Sequence, residues 1–390
     1  MNANAQIEPH NADDLAEQEL FRDNVKRFIS AEVVPFYDDW EKAEIFPREL
    51  WNKFGEQGFL AVDVPEQWGG FGTSFHYPLI VCEELMRANC GALGSSVMVH
   101  SDIVAHYVLN RGSDEQRSHY LPKMVSGECV GAVAMTEPGA GSDLQGIRTQ
   151  AKRDGDDWVI NGSKTFITNG QHCDVVIVVA RTNMDVSGAR GTTLFLVDCD
   201  TPGFSRGRNL EKIGLHAGDT SELFFEDLRV PATAILGELD KGFQVLMGEL
   251  ARERLVLAVS AVAAAEGLIK VTADYVKERK AFGAPLAALQ NTKFRMAEMA
   301  TEVRINRAFV NECNDKFMRG ELDVTSVSMA KLAATEMQSR VADGCLQLFG
   351  GYGYMREYGV SRAFTDARIQ RIYGGTSEIM KELISRDILK

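Results

Sequence analysis

Apolar positions recur every third or fourth residue over two long stretches of this chain and alternate with polar ones between them. From about Leu15 to Gly127 the period is helical: Leu20, Val25 and Phe28 share one stripe, and residues 78–87 and 102–109 repeat it. Ser113 stands where a helix over 114–125 needs an N-cap, and that helix ends near Gly127. Residues 64–72, Val-Pro-Glu-Gln-Trp-Gly-Gly-Phe-Gly, are too rich in glycine for a helix and form a loop. After Gly127 short runs over 130–135, 158–160, 175–180, 192–197 and 223–225 predict strands. Asn161-Gly162 between two runs predicts a two-residue hairpin, because both central positions of a type I′ turn need positive φ. Beyond about Gly237 helices are predicted near 241–276, 288–318, 323–349 and 376–388. The predicted class is α+β and multidomain: an N-terminal all-α domain (1–127), a central antiparallel β domain (128–237) and a C-terminal four-helix bundle (238–390).

Composition narrows the partners. With 45% hydrophobic residues in 390, the chain can bury a large core divided among two or three domains. A formal charge of −13 argues against nucleic acid, which needs a concentrated positive surface. The seven cysteines form no C-x-x-C pair and read as reduced thiols of a cytoplasmic protein. Residues 1–14 are polar, with neither a signal-peptide core nor an Arg-rich transit character. No apolar run approaches the roughly 20 residues that span a bilayer; Ser260 and Glu266 interrupt the small-residue stretch 258–267, so membrane insertion is not expected. No metal site is evident, since His100 and His106 are six apart, and no G-x-S-x-G motif occurs.

Two places carry candidate chemistry. Residues 134–143, Ala-Met-Thr-Glu-Pro-Gly-Ala-Gly-Ser-Asp, read either as a tight turn or as a loop that turns its backbone N–H groups and the Thr136 and Ser142 hydroxyls on a polar ligand. Leu144 and the lack of a following βαβ unit exclude a dinucleotide fingerprint. In the helix from about Lys241, Phe243, Leu246, Met247, Leu250, Leu257 and Ala261 make an apolar stripe that Glu253 and Arg254 interrupt. That pair is either a structural ion pair or a catalytic one; Glu249, a turn earlier, is expected to face solvent.

Residues 134–143, followed by 158–170 (Trp-Val-Ile-Asn-Gly-Ser-Lys-Thr-Phe-Ile-Thr-Asn-Gly), resemble the flavin-binding signature of the acyl-CoA dehydrogenase family. The resemblance runs through nearly the whole chain, including the Pro65-Glu66-x-x-Gly69-Gly70 turn. It implies FAD, with Met135, Thr136 and Ser142 on one side of the ring and Phe166 and Thr168 on the other, Thr168 near the flavin N5. It also implies a second FAD set, Arg279, Phe282, Gln290, Gln347 and Gly351, which would hold the adenosine pyrophosphate of a neighbouring subunit in a homotetramer built as a dimer of dimers. An Arg beside a glycine-rich approach suits a pyrophosphate. Thr376 and Glu378 would also lie near the flavin, although Glu378 equally suits a helix N-terminus.

Many members of that family read Ile-Tyr-Glu-Gly-Thr near the C-terminus, and the Glu is the base. Here the run is Ile372-Tyr373-Gly374-Gly375-Thr376. Residues 249–258, Glu-Leu-Ala-Arg-Glu-Arg-Leu-Val-Leu-Ala, resemble instead the helix that carries the base in the isovaleryl-CoA and long-chain branches, which points to Glu253. The implied reaction is removal of the α-proton of an acyl-CoA by Glu253 and of the β-hydrogen as hydride, giving a trans-2-enoyl-CoA in fatty-acid oxidation. The Gly374 N–H and the flavin ribityl hydroxyl would stabilise the thioester oxygen. Ser142, Arg254, Tyr373 and Gly375 would line the acyl-CoA, with Arg254 either orienting Glu253 or organising the bundle. Electrons would pass to an electron-transferring flavoprotein. The long-chain branch is the nearest in wording over 373–384; a branched acyl-CoA such as isovaleryl-CoA, a flavin monooxygenase or nitroalkane-oxidase-like activity, and non-catalytic acyl-CoA or flavin binding are the alternatives.

Overall fold

The computed structural model describes residues 12–390, so the reading of residues 1–14 lies almost wholly outside the described residues. Helices run to Val125, strands lie between Gly131 and Leu236, and helices resume at Gly242, the α, β, α succession the periodicity predicts. Contacts gather the chain into two compact units. A helical unit takes the described part of Met1–Pro35 with Phe75–Gly91 and Ala251–Lys390; a β-containing unit takes Phe36–Ser74 and Ala92–Leu250.

The β-containing unit is built on one eight-stranded sheet of β1 (Gly131–Ala134), β2 (Gln150–Asp154), β3 (Asp157–Thr168), β4 (Val175–Arg181), β5 (Thr192–Asp198), β6 (Phe204–Asn209), β7 (Thr220–Pro231) and β8 (Ile235–Leu236). Its order is β6-β7-β3-β2-β4-β5-β8, mostly antiparallel, with β1 added parallel to β4. Strand β4 is buried on both faces because its side chains alternate: Val175, Ile177 and Val179 join a core with Val104, Val108 and Leu121, while Val176, Val178 and Ala180 join another with Trp158, Phe195 and Leu223. The helix Asp114–Val125 starts on a capping box between Ser113 and Gln116, as its sequence predicts.

The predicted hairpin at Asn161-Gly162 is not a turn. Strand β3 runs through it, and the chain reverses instead at Gly155-Asp156, with Asp154 paired to Asp157. Asn161 is clasped to Asp227 of β7 by two hydrogen bonds, Nδ2 to Oδ1 at 3.0 Å and the Asp227 N–H to Oδ1 at 2.9 Å. Gly162 is needed for close approach: a Cβ there would lie 2.7 Å from the Thr149 Cα.

The helices Gly242–Glu278, Gln290–Met318, Val324–Phe349 and Ser377–Ile388 begin and end within two residues of their predicted bounds. Asp323 and Thr376 cap the last two through the N–H groups of Ser326 and Ile379. Helix Ala12–Phe28 departs from its expected stripe, since Leu20 is exposed while Val25 is buried and Phe21 stacks edge-on against Tyr77. Arg22 on that face reaches Glu83 and Glu84 at 3.0 and 2.5 Å. Arg307 and Arg87 both meet Glu83 and Glu266 as well, so four helices share one cluster of charges. Burial works to raise the Glu83 carboxyl, but Arg307, Arg87 and Arg22 together hold it below its ordinary value.

Helix Gly242–Glu278 also overturns the expectation of no membrane-length apolar run. Its 37 residues contain an 18-residue window of mean hydropathy 1.8, long and apolar enough to cross a membrane, and 72% of that window is buried inside the protein. The two residues taken as interruptions do not break it. The Ser260 hydroxyl donates back to the Leu257 carbonyl at 2.8 Å, and Glu266 is consumed by Arg87 and Arg307.

His100, fully buried in the continuous helical stretch from Gly91 to Arg111, ties that stretch to β1. Its Nδ1 accepts from the Gly131 N–H at 3.0 Å, and its Nε2 donates to the Met124 carbonyl at 2.9 Å, which requires the neutral ring. Burial pulls its pKa down to about 4. The stability this neutral ring confers is complete above the unfolded value near 6.5 and is lost as pH falls toward 4, by about 3 kcal/mol. Urea unfolding from pH 4 to 7 should show this slope in the parent and a flatter one in His100→Gln; equal slopes would refute the assignment.

Candidate functional site

In the β-containing unit the two signature segments lie side by side. The Thr136 carbonyl accepts from the Thr165 N–H at 2.9 Å, and the buried Lys164 Nζ donates to the Met135 carbonyl at 2.9 Å and to Glu137 Oε1 at 2.8 Å. Glu137 also accepts from the N–H groups of Arg148 and Thr149 at 2.6 and 3.0 Å. Burial opposes the Glu137 charge, yet Lys164 and these donors hold its carboxyl below the ordinary value. Burial likewise pulls Lys164 down to about 8 against the pull of Glu137. Neither residue was singled out in the sequence; the signal was a lysine inside the run Ser163–Thr168, which is otherwise apolar or hydroxyl-bearing.

Braced in this way, residues 134–143 are both the turn and the open loop. Glu137 and Ala140 pair through N–H···O bonds of 2.9 and 3.1 Å, placing Pro138-Gly139 at a tight turn. Gly139 and Gly141 are not at positive φ, and a Cβ on either would meet nothing within 4 Å; Ser142 beside them is exposed. On the neighbouring strand Thr165 and Phe166 stand opposite the single residue Glu222, a bulge that puts Phe166 at φ +61 and leaves its ring 69% exposed. A bulky residue held left-handed with its ring in the open is the kind of strain found at ligand sites. Thr168, half-buried, ends the strand opposite Thr220.

In the helical unit Glu253 and Arg254 are both buried, each 6% exposed. Burial holds the Arg254 guanidinium below its ordinary value while Glu253 pulls it up. Arg254 Nε donates to the Gly374 carbonyl at 3.3 Å, so the helix turn carrying Glu253 abuts the Tyr373–Thr376 segment. Leu257, one turn beyond Glu253, fills the place a side chain at 374 would take: a Cβ on Gly374 would lie 2.3 Å from its Cδ1. Gly374 and Gly375 sit at φ +63 and +100. Among the described residues the Gly374 N–H donates no hydrogen bond, and the Gly375 carbonyl accepts from the fully buried Lys331 at 2.6 Å. Lys331 was not anticipated, though its place on the face of Val327 and Ala334 was legible. Thr376 is the N-cap of the last helix, and the exposed Glu378 carboxyl is held low by its own backbone N–H and by the Thr376 hydroxyl, the helix-start role.

Glu249 corrects the sequence reading. It is 7% exposed rather than solvent-facing, and in the β-containing unit it accepts from Arg111 Nε at 2.8 Å and Asn110 Nδ2 at 2.9 Å. Its partners lie some 140 residues away in sequence, which is why periodicity did not reveal them.

The second set of candidates lies in the helical unit, where Arg279 is brought beside Gly351. The Arg279 guanidinium lies over the Tyr352 ring at 5.1 Å, next to Gly351, and Tyr275 stacks on Phe349 at 3.9 Å. Phe282-Gly283, at φ +53 and +80, form the two-residue turn between Lys280–Ala281 and Ala284–Pro285 and leave the Phe282 ring 94% exposed. Gln290 and Gln347 are exposed at helix ends, and a Cβ on Gly351 would meet nothing within 4 Å.

Comparison with known proteins covers nearly the whole chain. Three family models match in order: acyl-CoA dehydrogenase, N-terminal domain, over residues 15–128; middle domain, over 132–228; and C-terminal domain, over 240–389. A long-chain specific acyl-CoA dehydrogenase, mitochondrial, from Sus scrofa is 52% identical over 375 residues, covering 96% of this chain and 87% of that protein. The crystal structure of an acyl-CoA dehydrogenase from Geobacillus kaustophilus superposes with a TM-score of 0.93 at 48% identity, over 95% of this chain and 98% of that one. A glutaryl-CoA dehydrogenase from Mycobacterium smegmatis in complex with FADH2 is 30% identical with a TM-score of 0.90, over 97% and 96% of the two chains.

The Glu137–Lys164 pair yields a test. Lys164→Met should cost about 3–5 kcal/mol in urea unfolding by stranding a buried carboxylate, and Lys164→Met with Glu137→Met should recover most of the loss. Equal losses in the single and double variants would show that the lysine acts through its packing alone.

Proposed function

This chain belongs to the acyl-CoA dehydrogenase family, and from that premise we propose that it oxidises long-chain acyl-CoA thioesters to trans-2-enoyl-CoA with FAD as redox group and an electron-transferring flavoprotein as electron acceptor. In chain order we assign 1–127, 128–237 and 238–390 as its three domains. The 52% identity to a long-chain specific relative supports the choice of chain length. Homotetramer assembly is supported by the Phe282 and Tyr354 rings, 94% and 81% exposed on the single chain.

The residues present fit FAD in their donor chemistry. Met135, Thr136, Ser142, Phe166 and Thr168 would hold the ring through an exposed aromatic face, hydroxyls and a loop with no side chains on its glycines. Arg279, Phe282, Gln290, Gln347 and Gly351 would hold the pyrophosphate and adenosine, and Thr376 and Glu378 lie at the start of the last helix. When bound, FAD supplies the two-electron acceptor for the hydride that leaves the β-carbon.

One observation carries the assignment of the base: position 374 has no side chain, its Cβ space is filled by Leu257, and the helix turn before that leucine carries the buried carboxylate Glu253. Glu253 takes the α-proton of the thioester. The Gly374 N–H, which is uncommitted among the described residues, donates to the thioester oxygen as negative charge develops there, a contribution of about 3 kcal/mol for one such donor. Arg254, whose guanidinium Glu253 pulls up against its burial, holds the Gly374 carbonyl and so orients the N–H of that residue for the substrate. Ser142, Tyr373 and Gly375 complete the acyl-CoA contacts.

Anaerobic titration of the FAD-loaded protein with palmitoyl-CoA and with isovaleryl-CoA, following loss of flavin absorbance, tests this reading. Palmitoyl-CoA should bleach the parent faster, and Glu253→Gln should slow bleaching by about 10²–10⁴-fold. Faster bleaching by isovaleryl-CoA would move the chain to the branched-acyl enzymes, and a Glu253→Gln variant as fast as the parent would remove Glu253 from the chemistry.

A further inference from the structure

We propose that Lys331 is a positioning residue for this dehydrogenation: its buried ammonium pins the Gly375 carbonyl and so fixes the backbone that presents the Gly374 N–H to the thioester. The inference rests on the function proposed above.

A lysine with no exposed surface is unusual, because burying an ammonium is unfavourable unless it is matched. Lys331 is met by a backbone carbonyl rather than a carboxylate, through the 2.6 Å bond from Nζ to the Gly375 oxygen. Burial and the neighbouring Arg254 pull its pKa down to about 8. Methionine or leucine would fill the same place in helix Val324–Phe349 without that penalty, so the hydrogen bond is what distinguishes lysine here.

The segment it grips needs pinning. Two consecutive glycines at φ +63 and +100 have more backbone freedom than any other pair and no side chains of their own to lock them. Upstream, the N–H groups of Ile372 and Tyr373 both donate to the Ile369 carbonyl at 2.8 and 3.2 Å. Downstream, Thr376 is fixed as the N-cap of the last helix. Between these anchors the Gly374 carbonyl is held by Arg254 at 3.3 Å and the Gly375 carbonyl by Lys331 at 2.6 Å. Helix Val324–Phe349 takes a second grip through Glu336, which accepts from Ser377 Oγ at 2.7 Å and pairs with Arg371 at 2.9 Å. Helix Val324–Phe349 thus grips the run at Arg371, Gly375 and Ser377, and Arg254 of helix Gly242–Glu278 holds Gly374 between them. A donor whose direction is set before substrate arrives acts in the transition state more than in binding.

The experiment uses the FAD-loaded protein and palmitoyl-CoA, with stopped-flow bleaching of the parent, Lys331→Met, Lys331→Arg and Glu253→Gln. Lys331→Met should lower the limiting bleaching rate about 10- to 100-fold while the half-saturating concentration stays within about threefold, and Lys331→Arg should recover most of the rate. If Lys331→Met does not fold with FAD, Lys331→Gln, which keeps a donor of shorter reach, is read in its place. A limiting rate near that of the parent, a change confined to half-saturation, or an Arg variant no better than the Met variant would overturn the inference. Slow Glu253→Gln beside parent-like Lys331→Met would sink this inference alone, whereas parent-like Glu253→Gln would sink the functional reading beneath it.

Discussion

A helix buried over most of its length that nevertheless carries Glu249, Arg252, Glu253 and Arg254 within two turns sets the terms for this chain. None of the four can be left without compensation at such burial. Glu249 draws Arg111 and Asn110, Arg252 lies over the Phe75 ring at 4.5 Å, and Arg254 reaches the carbonyl of Gly374. Farther along, Glu266 draws two arginines from two other helices. The polar residues of one apolar helix therefore decide where several distant segments dock. Glu253 differs from the rest in that its neighbourhood also holds the Gly374 N–H, a backbone donor uncommitted among the described residues.

The β-containing unit solves a similar problem by different means. A buried Glu137–Lys164 pair, satisfied by backbone groups on both sides, ties a turn to a strand and leaves the adjoining bulge to carry the unfavourable conformation of Phe166. A non-glycine residue at such φ is disfavoured by about 1–3 kcal/mol, which only a rigid surround can sustain. Rigidity at 137 and 164 and strain at 166 are thus two sides of one arrangement.

Much of this was legible because the relevant signals are local. Ser113 marks a helix start through a side chain that reaches three residues along, and the four long helices were read to within two residues from the spacing of their apolar positions. The site motifs were legible through their resemblance to a family and not through propensity. What escaped depends on partners far apart in sequence. Asn161-Gly162 has the local chemistry of a turn, but Asp227, 66 residues on, holds Asn161 within the sheet. Glu249 looked solvent-facing until Arg111 appeared beside it, and Leu20 looked buried until the helix rotated Arg22 toward Glu83 and Glu84. A single chain read in one dimension shows which residues are out of place, not which distant group makes them acceptable.

The occupancy of the space above Gly374 bears on how such a site can drift through sequence space. Placing a carboxylate at position 374 demands that Leu257 move and that a side chain accept a left-handed backbone, while removing Glu253 first would, on the function proposed above, leave the chain without a base. The terminal methyl of Leu257 can swing aside, so the bump is the smaller obstacle; the φ of +63 is the larger. A lineage with this glycine and this leucine can therefore exchange one base for the other only through an intermediate that keeps both carboxylates, two like charges around one substrate carbon. The left-handed backbone behaves as a ratchet: chemically inert, it makes a carboxylate at 374 hard to install, and Leu257 adds to the obstacle.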